Sequence, residues 1–356
     1  MKSKIKAPFF FLTAILIIAL LSSCKSTDIE KQVSNIAVPQ KSDYPHWNFK
    51  NNSTYNKLVK INSFIENNKN KNQLAVFDWD GTLYNENISV KELNNAKYAG
   101  QPAWYMWMAF NRKKFLFDVF PMFDTKDHNF KSNVITFNKY LEGRTNVEVE
   151  GYSKFISTSL FTAGMTPDTV TQGVMKFLDE YKPEKYAFLP MLDVLQKMVN
   201  SGFNVWIVTG SNPYLVAPEI KYIEKNIDYT KNKKYNFKLS SAPYNAETGH
   251  IAGNGLKLLK NNTFSVVYND QYVKNPKDEL YIVDTIGKLI VVKNLEKKYN
   301  TKVIFSAGNS GGDYYDIQYV AEQPDTLSIA VEARGDLTKL VTDYPDKIVQ
   351  LNSDEI

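Results

Sequence analysis

The chain holds one cysteine, Cys24, among 356 residues, so the remainder can form no disulfide and no cysteine-based metal site. Histidine is almost as scarce. His46, His128 and His250 are scattered without the spacing of metal ligands, which argues against a histidine metal centre. Lysine and arginine form no stripe interleaved with aromatics, so nucleic-acid binding has no support. No repeat period is visible, and low complexity is confined to Asn/Lys-rich patches such as "ENNKNKNQ". After the N-terminus no apolar run is long enough to cross a bilayer. What is present suits an ordinary globular core, with 43% hydrophobic and 23% charged residues. Aromatics reach 13%, so any aromatic cluster has to be weighed as packing before it is read as a ligand cage.

The first residues read as a targeting segment. "MKSKIK" is a basic start and "APFFFLTAILIIALL" an apolar stretch of signal-peptide length. It ends in Leu21-Ser22-Ser23-Cys24, which resembles the lipobox of bacterial lipoproteins. That resemblance implies that residues 1–23 are a signal peptide and that Cys24 is lipidated. It further implies a protein of the bacterial cell envelope, held to the membrane by its lipid. Lys25 after Cys24 offers no inner-membrane retention signal, so the expected place is the outer membrane, facing the periplasm. Residues 1–23 carry three lysines and no acid, so without them the formal charge falls from +5 to +2.

Residues 24–51 are polar and aperiodic and read as a tether. "STYNKLVKINSFIENN" puts Tyr55, Leu58, Ile61 and Ile65 on one helical face, with Ser53 or Thr54 as N-cap. "LAVF", residues 74–77, is too short for a helix and reads as a buried strand. Helices are expected in "MTPDTVTQGVMKFLDEY", capped by Thr166, in "PMLDVLQKMVNSG", closed by Gly202, and in "PYLVAPEIKYIEKN". Strands are expected in "FNVWIVTG", "TKVIFSAG" and "LSIAVEA". Strands alternating with helices imply an α/β fold, a three-layer parallel sheet that binds ligands beyond the carboxyl ends of its strands. Asp78, Thr209 and Gly308 all fall at such ends.

"DWDGT", residues 78–82, has two readings on its own. Aspartate and glycine favour a polar turn after a strand. Alternatively, one carboxylate is a nucleophile toward phosphorus once a divalent cation offsets the repulsion, and a second, two residues on, moves the proton. Downstream, Thr209-Gly210 presents a hydroxyl and backbone N–H groups, and Lys288 at the start of "GKLIVVKNLEKKY" brings a positive charge. Gly308-Asn309-Ser310-Gly311-Gly312-Asp313 supplies hard oxygen ligands suited to Mg²⁺.

Together, and in this order, these four elements resemble the motifs of the haloacid dehalogenase (HAD) superfamily of phosphohydrolases, in its phosphoserine-phosphatase-like branch. The resemblance implies a Rossmann-like core over 52–85 and 186–356. It implies that Asp78 attacks phosphorus to form an aspartyl-phosphate, and that Asp80 acts as general acid and then base. Thr209, Gly210 and Lys288 would bind the phosphoryl group, with Mg²⁺ held by Asp78, the Asp80 carbonyl, Asn309 and Asp313. Asp80 favours phosphatase chemistry, since the superfamily's dehalogenases lack this second aspartate. Asn309 stands where many members have Asp and brings no charge; Asp316 is a weaker ligand candidate.

Between the first and second motifs lie about 130 residues, more than a crossover helix needs. Residues 86–185 resemble the mainly α-helical cap domain that such phosphatases insert, which closes over a small phosphorylated substrate. There Trp104, Tyr105 and Trp107 are either a cage for a quaternary ammonium, as for phosphocholine, or the cap's own packing. Arg112 or Arg144 could meet a carboxylate, as in phosphoserine. The rival to an enzyme is a non-catalytic lipoprotein that keeps this fold to bind a phosphorylated or cationic small ligand.

Overall fold

The computed structural model describes residues 37–85, 88–90, 96–98, 104, 159, 162, 164–227, 244, 246, 249–273, 281–352 and 354–355. Cys24, most of the expected cap, and Tyr105, Trp107, Arg112, Arg144 and His128 lie outside them.

The first helix, α1 (Asn52–Asn68), buries Leu58, Ile61 and Ile65 on the expected face, with Tyr55 only half-buried. Its cap is Asn51, whose side chain accepts from the N–H groups of Ser53 and Thr54, so the helix begins before either residue expected to cap it. Next come β1 (Leu74–Phe77) and a small antiparallel pair, β2 (Ile88–Val90) with β3 (Ala96–Tyr98). Helix α2 (Pro167–Tyr181) is capped by Thr166 as expected and is followed by α3 (Leu189–Asn200). Gly202, at φ 81°, turns the chain out of α3 into β4 (Asn204–Val208), a reversal that a residue with Cβ resists. Then follow α4 (Pro213–Asn226), β5 (Ile251–Ala252), and the hairpin of β6 (Leu256–Leu258) and β7 (Phe264–Tyr268). The chain closes with α5 (Ile286–Tyr299), β8 (Val303–Gly308), α6 (Tyr314–Ala321), β9 (Leu327–Val331), α7 (Leu337–Asp343) and β10 (Ile348–Leu351).

Six strands form one parallel sheet in the order β10-β9-β8-β1-β4-β5. Because β1 pairs with β4 on one side and β8 on the other, the chain leaves β1 in one direction and returns to fill the other. That puts a topological switch point beside β1, the place where sheets of this kind bind ligands beyond their strand ends. Phe77 is level with Ile207 and Ala307, which brings the residues after all three strands to one edge.

Alternate side chains of β1 divide between two layers. Ala75 and Phe77 pack with Leu58 and Ile61 of α1, Leu192 and Leu195 of α3, and Ile220 of α4. Leu74 and Val76 pack with Val291, Val292 and Leu295 of α5. All four β1 residues are buried, as in a central parallel strand covered on both faces. Burial of each large side chain is worth roughly 1.5–3 kcal/mol.

Two segments enter this core where the sequence suggested otherwise. In the stretch expected as tether, Tyr44 and Trp47 are fully buried. Tyr44 Oη donates to Asn62 at 2.9 Å, Trp47 Nε1 donates to the Pro190 carbonyl at 2.8 Å, and His46 meets the buried Asp193 through its N–H and its ring Nδ1. Helix α2, expected within the inserted region, packs Val174, Phe177 and Leu178 into the same cluster as α4. Among the described residues no helix is long and apolar enough to cross a membrane.

Candidate active site

After β1 the chain turns at once. Asp78 keeps a sheet-like bond to the Ala307 carbonyl at 2.8 Å, and then the Trp79 carbonyl accepts from Leu83 N–H at 3.0 Å. Gly81 sits at φ 75°, and a Cβ there would lie 1.8 Å from Asn309 Nδ2. Glycine therefore does two things: it takes the left-handed turn, and it lets the Asn309 side chain lie against the Asp80–Gly81 backbone.

Lys288 reaches this turn from the first turn of α5. Its Nζ donates to Asp78 Oδ1 at 2.7 Å and to Asp313 Oδ1 at 2.5 Å. All three groups are buried, with Lys288 4%, Asp78 7% and Asp313 1% exposed, so these ion pairs are shielded from solvent screening. Burial alone would favour neutral Lys288, but Asp313, Asp78 and Asp316 outweigh it and hold the ammonium charged. Burial, then repulsion from Asp313, pushes the Asp78 carboxyl well above its usual range; Lys288 opposes this. Asp316 is pushed up to about 7, first by burial and then by Asp313, while Lys288 and the Ser306 hydroxyl (2.6 Å) pull it down. One lysine thus serves three buried carboxylates.

Asp313 also organises its own loop. Its Oδ2 accepts from the N–H groups of Asn309 (2.9 Å) and Ser310 (3.1 Å). A Cβ on Gly308 would meet Asp313 Cγ at 2.3 Å, so the glycine at the end of β8 makes room for this carboxylate.

Asp80 faces the other neighbouring strand. Ser211 Oγ makes a short hydrogen bond to its Oδ2, and Thr209 Oγ1 lies 3.5 Å from the same atom. Thr209 Oγ1 also accepts from Ser211 N–H at 3.0 Å, so the loop after β4 is closed on itself beneath Asp80. Trp79, between the two aspartates, is held by other partners: its Nε1 donates to Glu219 Oε2 of α4 at 2.9 Å, and its ring stacks on Tyr84. Burial, then Asp80, drives the Glu219 carboxyl well above its usual range, with the Trp79 bond opposing.

The structure therefore brings Asp78, Asp80, Thr209, Lys288, Asn309 and Asp313 to one sheet edge, with Gly210 beside Thr209. Trp104 is fully buried within the main core cluster. His46 lies at Asp193, and His250 stacks on Trp206. Ser211, Glu219 and Asn254 were not singled out from the sequence; a hydroxyl two residues after Thr209 and the Gly253-Asn254-Gly255 triplet were the available signals.

Among the described residues no group of three or more His, Cys, Asp or Glu side chains is arranged around a metal position. The expected set relies instead on Asp78, the Asn309 amide, Asp313 and a backbone carbonyl. These are hard oxygen donors, and Asp78, Asp313 and Asp316 gather three carboxyl groups around Lys288. This donor chemistry, with Asp313 adding to the upward push that burial gives Asp78, fits a divalent cation.

Neither a known protein family nor a curated protein matches the sequence. Among solved structures, a conserved protein of unknown function from Anaerococcus prevotii superposes with a TM-score of 0.51 at 15% identity, over 85% of this chain and 92% of that one. This shows a shared fold. A phosphoserine phosphohydrolase-like protein from Francisella tularensis gives a TM-score of 0.35 at 15% identity, over 78% of this chain and 94% of its own. Cytosolic 5'-nucleotidase IIIB bound to cytidine gives 0.41 at 13% identity, over 89% and 93%.

Proposed function

We propose that the protein is a phosphomonoester hydrolase of the HAD superfamily, working through an aspartyl-phosphate on Asp78. The observation that carries this reading is the placement of Lys288 between Asp78 and Asp313, 2.7 and 2.5 Å away, with Asp80 held separately at the neighbouring strand end. Two carboxylates in unlike surroundings suit two unlike tasks. Asp78, whose ionised form the Lys288 ammonium favours against burial and Asp313, attacks phosphorus as the bond to the leaving oxygen breaks. Asp80, oriented by Ser211 and Thr209, gives that oxygen its proton. Asp80 then takes a proton from water, which attacks the phosphorus of the aspartyl-phosphate, releasing inorganic phosphate and restoring Asp78. Lys288 and the Thr209–Gly210 loop hold the phosphoryl oxygens.

Mg²⁺ held by Asp78, Asn309 and the Asp80 carbonyl, with Asp313 beside them, would offset the charge of the incoming phosphate. The substrate is a small organic phosphate such as phosphocholine or phosphoserine, enclosed by a cap formed within residues 86–185. Cys24 carries a lipid that anchors the enzyme in the cell envelope. Support for these parts comes from the sequence motifs and from the length of chain between the first two.

The test is a Mg²⁺-dependent assay of purified protein against phosphocholine, phosphoserine, sugar phosphates and a chromogenic ester. Turnover by the wild type and none by Asp78→Asn is expected. A folded wild type that hydrolyses no ester would instead favour a ligand-binding lipoprotein.

A further inference from the structure

We infer that Asn254 is a positioning residue that sets the spacing between the two halves of the phosphate site. This rests on the phosphohydrolase reading above. Asn254 lies just beyond β5, fully buried, and touches neither Asp78 nor Lys288 in any described contact. Its side chain is saturated. Nδ2 donates to the Gly210 carbonyl at 2.8 Å and lies 3.4 Å from the Val283 carbonyl. Oδ1 accepts from Val283 N–H at 2.8 Å and from Tyr268 Oη at 2.6 Å. Its own backbone N–H donates to the Ser211 carbonyl at 3.1 Å.

One residue therefore holds two consecutive carbonyls of the loop that carries Thr209 and Ser211, the two hydroxyls on Asp80. Its other end fixes Val283, from which two tight turns lead to the lysine: Gly287 N–H to Asp284 O at 2.8 Å and Lys288 N–H to Thr285 O at 3.1 Å. The loop that orients the acid and the segment that presents the cation are pinned to the same amide.

The chemistry requires asparagine. Aspartate has no donor for Gly210, and an apolar side chain takes a hydrogen-bond partner from each of Gly210 O, Val283 N–H and Tyr268 Oη in the interior. The preceding glycine belongs to the same device, because a Cβ on Gly253 would lie 2.3 Å from the Ser211 carbonyl. Only glycine there lets the chain approach closely enough for Asn254 to reach over.

The experiment compares Asn254→Ala and Asn254→Asp with Tyr268→Phe in the full chain. Tyr268→Phe removes one hydrogen bond at the same amide but leaves both ties intact. Two readouts are taken: backbone hydrogen exchange without any ligand, and kcat, KM and inhibition by inorganic phosphate with a chromogenic ester and Mg²⁺. The Asn254 variants should speed exchange over residues 209–212 and 283–288 together, well beyond Tyr268→Phe. They should also raise KM and the phosphate inhibition constant about tenfold, the equivalent of one buried hydrogen bond, while Tyr268→Phe stays within about twofold. Where the alanine variant fails to fold, Asn254→Asp, which keeps volume and acceptor, supplies the measurement. Equal exchange in all variants would overturn the tie. Faster exchange with unchanged phosphate inhibition would overturn the positioning role. A wild type neither active on the ester nor binding phosphate would overturn the phosphohydrolase reading, and that is visible without any variant.

Discussion

Replacing Lys288 by methionine keeps the length of the side chain and removes the ammonium that sits among three buried carboxylates. Lys288 Nζ lies 2.7 Å from Asp78 and 2.5 Å from Asp313, and none of the three residues is more than 7% exposed. Breaking a buried ion pair by removing one partner costs about 3–5 kcal/mol, because the other charge stays buried without compensation. Here two carboxylates are stranded, so the upper end applies, about 4–5 kcal/mol at pH 7. That is a third or more of the stability of many domains and lowers Tm by about 10 °C. The sign of the pH dependence follows from Asp78. Its folded value already stands above the ordinary 3.8, raised by burial and by Asp313, and rises further once Lys288 is gone. A carboxyl raised in the folded state contributes most below its unfolded value, and that contribution is lost as pH rises through the folded one. The Lys288→Met deficit should therefore shrink as pH falls from 7 toward 4, and adding Asp313→Asn should recover part of it at pH 7. Urea unfolding across that range is the assay. A loss under about 1 kcal/mol at pH 7, or a deficit unchanged in acid, would show that Lys288 does not offset buried negative charge here.

Gly81→Ala puts a methyl group 1.8 Å from Asn309 Nδ2 at φ 75°, so it should cost about 1–3 kcal/mol in thermal melts and abolish ester turnover. Asp316, raised to about 7 by burial and Asp313, contributes stability in acid that is lost as pH climbs from about 4 to 7. Asp316→Asn should flatten that part of the stability–pH curve by on the order of a few kcal/mol. Trp47→Ala should cost about 3–5 kcal/mol by urea unfolding, since the ring is 2% exposed and its Nε1 donates to the Pro190 carbonyl at 2.8 Å. A neutral result there would mean that residues 37–51 are a tether after all.

The strands, the helices after them and the residues at their ends could be read from the chain because each signal is local. "LAVF" is apolar throughout since β1 is covered on both faces, and Asp78 follows it directly. Thr209 and Asn309 follow β4 and β8 in the same way, and parallel pairing with β1 turns three distant positions into neighbours. What the chain did not display are bonds between residues far apart. Glu219 meets Trp79 across 140 positions, and Asn254 reaches back 44 to Gly210. Neither distance leaves a periodicity. Tyr44 and Trp47 were hidden for a related reason: two isolated aromatics in a polar stretch form no helical or strand pattern, and only their docking against Asn62 and Pro190 shows that they belong to the core. The two-residue β5 was too brief to signal itself, yet it carries Asn254 to its place.

The proposed hydrolysis depends on Asp78 taking the phosphoryl group. Rapid quenching of the protein in turnover with a phosphate ester and Mg²⁺, followed by peptide mass analysis, measures this directly. An acid-stable, base-labile phosphoryl group is expected on the peptide carrying residues 74–85. It should be assigned to Asp78, persist in Asp80→Asn and be absent from Asp78→Asn, which should be inactive. Hydrolysis by the wild type with no phosphorylated peptide, accompanied by undiminished turnover in Asp78→Asn, would contradict it.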